Sequence, residues 1–338
     1  MEMNYPFPAK PLPGAILAVA PGVFWLRMSL PFQLDHINLW LIEDGEAWCI
    51  VDTGFADEAT RQAWEAILAH LGRPVSRLIV THFHPDHFGL ATWLLEKTGA
   101  SLYMTTGEFL TAHAIWNEFG GHGARFMVEQ FRCHGLAGER LTKYKTRGSG
   151  YRTSVPTLPE HYRRLQEGSV IDLGGRSWRV LIGYGHSPEH AALYCQESGV
   201  LISGDMLLPK ISTNISVPAA TPEADALGAF LASLQRMAAE LPADTLVLPS
   251  HGLPFIGIGA RVEALHAHHV ERLQALEDAC RTPQSAADAL SVLFPRPLDA
   301  HQTMFAMGET IAHFNYLEGV GRLSRRCDAD GVIRFVRA

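Results

Sequence analysis

Cysteine is scarce and scattered. Cys49, Cys133, Cys195, Cys280 and Cys327 are five, an odd number, and show no CxxC spacing. That excludes a disulfide framework and a cysteine zinc site as organising devices. Charged residues are few, 19% of 338 against 47% hydrophobic, so extensive disorder is excluded as well. Long apolar runs are missing: residues 14–20 fall far short of the roughly 20 that a bilayer crossing needs. Lys10 is the one positive charge ahead of that stretch, a poor opening for a secretory leader, and a cytoplasmic location is expected. Basic charge is also in deficit, with 28 Lys plus Arg against 35 Asp plus Glu and a net charge of −7, which disfavours bulk nucleic-acid binding. Histidine is the outlier at 17 residues.

Short β-branched and aromatic runs at residues 23–30, 37–42 and 47–51 predict antiparallel strands. After Asp52-Thr53-Gly54 the period changes. Ala63, Trp64, Ile67, Leu68 and Leu71 recur at helical spacing, with Asp57 as N-cap and Gly72 past the end. A strand at 77–80 and a helix carrying Leu90, Trp93 and Leu94 follow, closed by Gly99. Residues 105–166 are irregular and partly helical, and read as an insertion. Strands resume at 169–173, 177–184, 191–196 and 200–203. An amphipathic helix is then predicted from N-cap Thr221 and Pro222, with Leu227, Phe230, Leu231, Leu234 and Met237 on one stripe. A strand at 245–248 ends in Pro249-Ser250-His251-Gly252. The last segment reads as a helix over 261–279, a short helix from Thr282-Pro283 through Leu293, a helix over 300–318, and a hairpin around Asp328-Ala329-Asp330-Gly331, an order that suggests a winged-helix-like module.

The sharpest motif is Thr81-His82-Phe83-His84-Pro85-Asp86-His87, placed where a strand gives way to a helix. Side chains two apart on an extended segment point the same way, so His82 and His84 can converge on one ion. Pro85 ends the extension and puts Asp86 and His87 in the first helical turn, aimed at a second point. Imidazole and carboxylate together suit zinc and similar ions. Gly185-His186-Ser187-Pro188, Ser203-Gly204-Asp205 and Ser250-His251-Gly252 each follow a strand, where loops on a rigid sheet gather ligands.

In these residues the chain resembles the metallo-β-lactamase superfamily, with Asp52-Thr53-Gly54 matching the family's early Asp-bearing turn. The resemblance implies an α/β fold, a four-layer αββα sandwich, with a two-metal site at one sheet edge. His82, His84 and His186 would bind one metal, Asp86, His87 and His251 the second, and Asp205 would bridge both. The family usually carries Gly where this chain has Glu189, a departure outside the metal donors. The C-terminal module and the run from Asp205 to Lys210 are similar to the lactamase-like protein 2 group. Residues 1–260 then form the catalytic domain, with 105–166 inserted near the site, and 261–338 the linking helix and winged-helix-like domain.

Two divalent transition-metal ions are expected, zinc first, with iron and manganese as alternatives. Asp86 is expected to orient a hydroxide and take its proton. Asp52, at a strand end, is expected to accept a hydrogen bond from a ligand histidine or its loop; the alternative is a plain turn residue. His190 reads as structural, Ser187 as a turn residue, and His268-His269 as a solvated helix face. The implied activity is hydrolysis of a small acyl ester or thioester, of the acyl-coenzyme A type. Its alternatives are a single-strand endoribonuclease, with RNA as partner, and a mono-iron sulfur dioxygenase. DNA reading is disfavoured, since from His266 onward 8 basic residues face 9 acidic ones. No membrane partner is implied, and a homo-oligomer stays open. Between Arg140 and Arg152 the chain is basic without an acidic residue, and Lys143, Lys145 and Arg147 are candidates for holding substrate phosphates, with Tyr144 or Tyr151 stacking on a base.

Overall fold

A computed structural model describes residues 2–147 and 150–338, with backbone alone for residues 145–147. Among the described residues a seven-stranded sheet runs in chain order through β1 (Leu17–Ala20), β2 (Val23–Ser29), β3 (His36–Asp44), β4 (Ala47–Val51), β5 (Val75–Ile79), β6 (Ser101–Thr105) and β7 (Arg163–Leu165). Its first four strands are antiparallel, and the rest join in parallel. A six-stranded sheet holds β8 (Val170–Leu173), β9 (Arg176–Gly183), β10 (His190–Cys195), β11 (Val200–Gly204), β12 (Leu246–Pro249) and β13 (Phe255–Ile256). Only the β11–β12 pair among these is parallel.

The two sheets pack face to face. Trp25, Trp40, Ile42, Val51 and Ile79 of the first meet Trp178, Val180, Ile182, Leu193 and Ile202 of the second, all buried. Both faces of each sheet are covered. In β3 the alternate residues Ile37, Leu39 and Leu41 turn to the opposite core, which is why its hydrophobic run is continuous rather than alternating. That outer face is covered by α1 (Glu58–His70), α2 (Pro85–Phe88), α3 (Ala91–Thr98) and α4 (Thr106–Trp116), through Trp64, Ile67, Phe88, Leu94 and Phe109. The expected four-layer αββα sandwich is present.

Residues 105–166 are more regular than expected. They contain α4, α5 (Ala124–Cys133), α6 (Gly138–Arg147) and α7 (Tyr151–Ser154). Strands β6 and β7 escaped the sequence because both are short; β7 is the edge strand, and two of its three residues are exposed arginines. The second sheet is covered by α8 (Ala226–Glu240) and α9 (Ile258–Ala279), followed by α10 (Ala286–Leu293), α11 (Ala300–Gly319) and the hairpin β14 (Leu323–Cys327) and β15 (Ile333–Arg337). No helix among the described residues is long and apolar enough to cross a membrane.

Two helix starts differ from expectation. Asp225, not Thr221, caps α8, its carboxylate accepting from Gly228 N–H at 2.8 Å. The Asn315 amide donates to the carbonyls of Pro222 and Ala224 and holds that segment outside the helix. Ser285 caps α10 in a reciprocal box with Asp288, because Gln284 is drawn into a bridge with Phe335 and keeps the Thr282-Pro283 segment out of the helix.

His269 corrects a further expectation. It is fully buried, since α9 is packed by α8, α10 and α11 together. Its Nδ1 lies 3.2 Å from His313 Nε2, and His313 Nδ1–H donates to the Glu309 carbonyl at 2.8 Å. Burial lowers His269 to about 3 and His313 to about 4, whereas both titrate near 6.5 in an unfolded chain. The unfolded chain therefore binds more protons below about pH 6.5, and this contribution to stability, full above that pH, is lost as pH falls toward 4. His269→Leu is expected to make the unfolding free energy less pH-dependent between pH 6 and 4.5, by up to about 1.4 kcal/mol per pH unit. Urea denaturation across that range checks it, and equal slopes would refute it.

Candidate metal centre

The seven residues singled out in the sequence come together at one edge of the sandwich. His82 and His84 lie just past β5, Asp86 and His87 in α2, His186 past β9, Asp205 past β11 and His251 past β12. Gly204 makes the close approach there. Its φ is +52°, and a Cβ would meet the His190 ring at 2.4 Å, so a side-chain-bearing residue would displace either the ring or Asp205.

The donor atoms form two groups that meet at Asp205. In the first, His82 Nε2 is 2.9 Å from His84 Nδ1 and 3.1 Å from His186 Nε2, and His186 Nε2 is 3.4 Å from Asp205 Oδ2. In the second, His87 Nε2 is 3.8 Å from Asp86 Oδ2 and 3.5 Å from Asp205 Oδ1, and His251 Nε2 is 3.4 Å from both carboxylates. Ligands about 2.0–2.1 Å from a tetrahedral ion stand about 3.3 Å apart, which these separations match. His87 Nε2 and Asp205 Oδ1 are buried and make no hydrogen bond, and such atoms are costly unless a cation satisfies them. The residues fit a metal ion; this is a His/Asp metal site.

Four of the five rings are aimed from behind. His87 Nδ1–H donates to Asp52 Oδ2 at 2.8 Å, His186 Nδ1–H to the Asn214 carbonyl at 2.7 Å, and His251 Nδ1–H to the His36 carbonyl at 2.7 Å. The Thr81 hydroxyl donates to Asp52 and accepts from His82 Nδ1–H at 3.0 Å. These bonds choose the tautomer that turns each Nε2 lone pair inward. Asp52 itself holds a left-handed backbone, φ +63°, a strain of order 1 kcal/mol or more for a side-chain-bearing residue. Its carboxylate, also accepting from Thr81 N–H at 2.8 Å, compensates.

Protonation favours ligation in the first group. Burial, then crowding by neighbouring imidazoles, depresses His82, and burial takes His84 to about 3. For Asp86, burial would raise the carboxyl, but His87 and His251 hold it down to about 2. Burial opposes a charge on His87, yet Asp52, Asp86 and Asp205 around it outweigh that, so protons and cations compete there.

Sequence reasoning missed four supports. Glu108 on α4 is fully buried, and its carboxylate accepts from Ser187 O–H at 2.6 Å, Glu189 N–H at 2.7 Å and Phe83 N–H at 3.0 Å. It ties the His82-Phe83-His84 segment to the His186 loop, and burial raises it to about 7. His36 Nε2 accepts from Gly252 N–H, and Asn38 donates to the Pro249 and Gly252 carbonyls, so β3 holds the His251 loop. Asn214 supports His186. None of these lies near the motifs in sequence. A lone Glu inside an apolar helix was the one available signal. Glu189, the departure from the family pattern, accepts from Gly107 N–H at 2.7 Å at the start of α4, a stabilising place for an anion. His190 Nε2 accepts from Asp205 N–H at 3.1 Å.

The family model for the metallo-beta-lactamase superfamily matches residues 33–251. The chain belongs to that superfamily. A model for the metallo-beta-lactamase-like C-terminal domain matches residues 273–338. The crystal structure of a beta-lactamase domain protein from Burkholderia ambifaria superposes with a TM-score of 0.92 at 47% identity, covering 99% of this chain and 98% of that one. The probable metallo-hydrolase YqjP of Bacillus subtilis is 25% identical over 305 residues, 88% of this chain and 92% of the relative. The acyl-coenzyme A thioesterase MBLAC2 of Homo sapiens is 24% identical over 199 residues, 56% of this chain and 65% of the relative.

The basic segment fares differently from the superfamily motifs. Lys143 is exposed on α6, while the side chains of Lys145 and Arg147 lie outside the described residues. Neither tyrosine is open for stacking on a base: Tyr144 is buried with its hydroxyl donating to the Ala300 carbonyl, and Tyr151 is buried with its hydroxyl donating to the Phe83 carbonyl at 2.7 Å.

Glu108→Ala leaves one buried and two part-buried donors without an acceptor, and a buried one costs about 1–3 kcal/mol. We expect a loss of about 2–3 kcal/mol in denaturant unfolding, together with at least tenfold weaker zinc binding by titration calorimetry. Unchanged zinc affinity in a folded variant would show that Glu108 does not position the donors.

Proposed function

We propose that this chain is a metal-dependent hydrolase of small acyl esters or thioesters, of the acyl-coenzyme A type, with two divalent ions in its site. The observation that carries this reading is Asp205, which presents Oδ2 to the His82, His84 and His186 group and Oδ1 to the Asp86, His87 and His251 group. Two zinc ions, or iron or manganese in their place, supply a hydroxide at neutral pH and a Lewis acid for the scissile carbonyl. Asp86, ionised and partly exposed, orients the attacking water and accepts its proton. Asp52 steadies His87 against the charge that develops during the reaction. Ser187, bonded to Glu108, is tied up and is no nucleophile. The thioester reading is supported by the acyl-coenzyme A thioesterase among the relatives.

Lys143, Lys145 and Arg147 remain our candidates for phosphate contact. Lys143 stands beside Tyr144, which binds the start of α11. We read the winged-helix-like tail as a packing element rather than a nucleic-acid reader. Support comes from Arg272, Arg322, Arg325, Arg334 and Arg337, each paired with an acidic residue.

Zinc-loaded protein is expected to carry two ions per chain by elemental analysis and to hydrolyse acyl-coenzyme A thioesters. Asp86→Asn should lower kcat by at least 100-fold at saturating zinc. A single ion at metal excess, or near wild-type turnover in Asp86→Asn, would overturn the two-ion reading or the role of Asp86 respectively.

A further inference from the structure

Helix α11 touches the loops that carry the supports of the metal-centre donors. His301, Phe305 and Gly308 are spaced i, i+4 and i+7, so they share one face. At one end His301 stacks on Phe32, rings 5.3 Å apart and 12° from parallel. Phe32 lies in the loop leading to His36, whose carbonyl holds His251. Phe32 also meets Phe55 edge-on at 5.5 Å, and Phe55 follows the Asp52-Thr53-Gly54 turn that holds His87. At the other end Gly308 lies against Ser216, where an added Cβ would meet the hydroxyl oxygen at 2.5 Å. The Ser216 hydroxyl donates to Asn214 Oδ1 at 2.8 Å, and the Asn214 carbonyl holds His186. One helical face thus spans the loops behind both donor groups. Phe305 stands between its two ends, 4.9 Å from the His301 ring.

Phe32 and Phe305 remain 42% and 37% exposed. Isolated exposed apolar residues need no explanation, but a contiguous aromatic patch beside a polar site does. Gln302 Nε2 donates to Gln33 Oε1 at 3.0 Å, so the loop and the helix are fastened together and the patch is preformed. We propose that Phe32, Phe55 and Phe305 form the wall against which the acyl chain of the substrate lies, which makes α11 of the C-terminal unit a determinant of chain-length specificity. This rests on the acyl-hydrolase reading above. The occupant is an alkyl chain, because the rings offer apolar surface while the reacting carbonyl is drawn to the polar donor cluster. Each buried methylene is worth about 0.8 kcal/mol, close to fourfold in affinity, so several methylenes on this wall give a steep preference for longer chains.

The test compares butyryl- and decanoyl-coenzyme A as substrates, and butyrate and decanoate as ligands, with zinc-loaded wild type, Phe305→Ala and Phe32→Ala. The decanoyl-to-butyryl ratio of kcat/KM is expected to fall at least tenfold in each variant, and the decanoate-to-butyrate affinity ratio by calorimetry to fall in parallel. An unchanged ratio in folded, zinc-replete variants overturns the wall. So does sedimentation showing that the variants lose a dimer while keeping the ratio, for the patch would then bind a second copy. If wild type hydrolyses neither thioester, the acyl-hydrolase reading fails, and the fatty-acid arm still decides the wall: chain-length-dependent binding lost in the variants sustains it, and chain-length-independent binding sinks it.

Discussion

Seven polar donors crowd one partly buried edge, and bare imidazoles and carboxylates do not stay there without anchorage from behind. The constraint is met by hydrogen bonds on the far side of four of the five rings. Asp52 takes His87, Asn214 takes His186, His36 takes His251, and Thr81 takes His82 while giving its own proton to Asp52. Each bond removes the freedom to flip or to change tautomer, so the inward lone pairs are prepared before any ion arrives. The strained backbone of Asp52 shows which demand wins. A carboxylate within reach of Thr81 and His87 outweighs about a kcal/mol of local strain.

The sandwich supplies the rigidity this arrangement needs. The donors come from the ends of β5, β9, β11 and β12, two sheets locked by a shared core of tryptophans and branched aliphatics. Because the cores on both sides are close-packed, the strand ends cannot drift relative to one another without opening cavities. Glu108 and Asn38 then fasten loops from different sheets and layers to each other. The first joins the His82-Phe83-His84 and His186 loops, and the second joins β3 to the His251 loop.

The C-terminal unit is built into the site rather than appended to it. The Arg261 guanidinium on α9 donates to the Leu208 and Ile211 carbonyls, holding the segment after Asp205. Arg272 pairs with the buried Glu309 at 3.0 Å, and α11 carries both Phe305 and the Gly308 contact to Ser216. A metal centre alone hydrolyses many substrates, whereas the walls above it select among them. On this reading the last quarter of the chain governs selection.

The sequence by itself determined the donors and the scaffold class. His82, His84, Asp86 and His87 lie within six residues, where strand and helix geometry dictate direction, and His186, Asp205 and His251 each follow a recognisable strand. Local physics suffices for the first four, while the other three enter the set through the resemblance to the superfamily. What only the tertiary structure decided are the partners that arrive from far along the chain. Glu108 is 79 residues from Ser187, Asn38 is 214 from Gly252, and Gln284 meets Phe335. The same kind of contact moved the starts of α8 and α10, and it buried His269, which a helix viewed alone leaves on a solvent face. Periodicity reports the field along one element, and a side chain that answers to a second element carries no mark of it in its own neighbourhood.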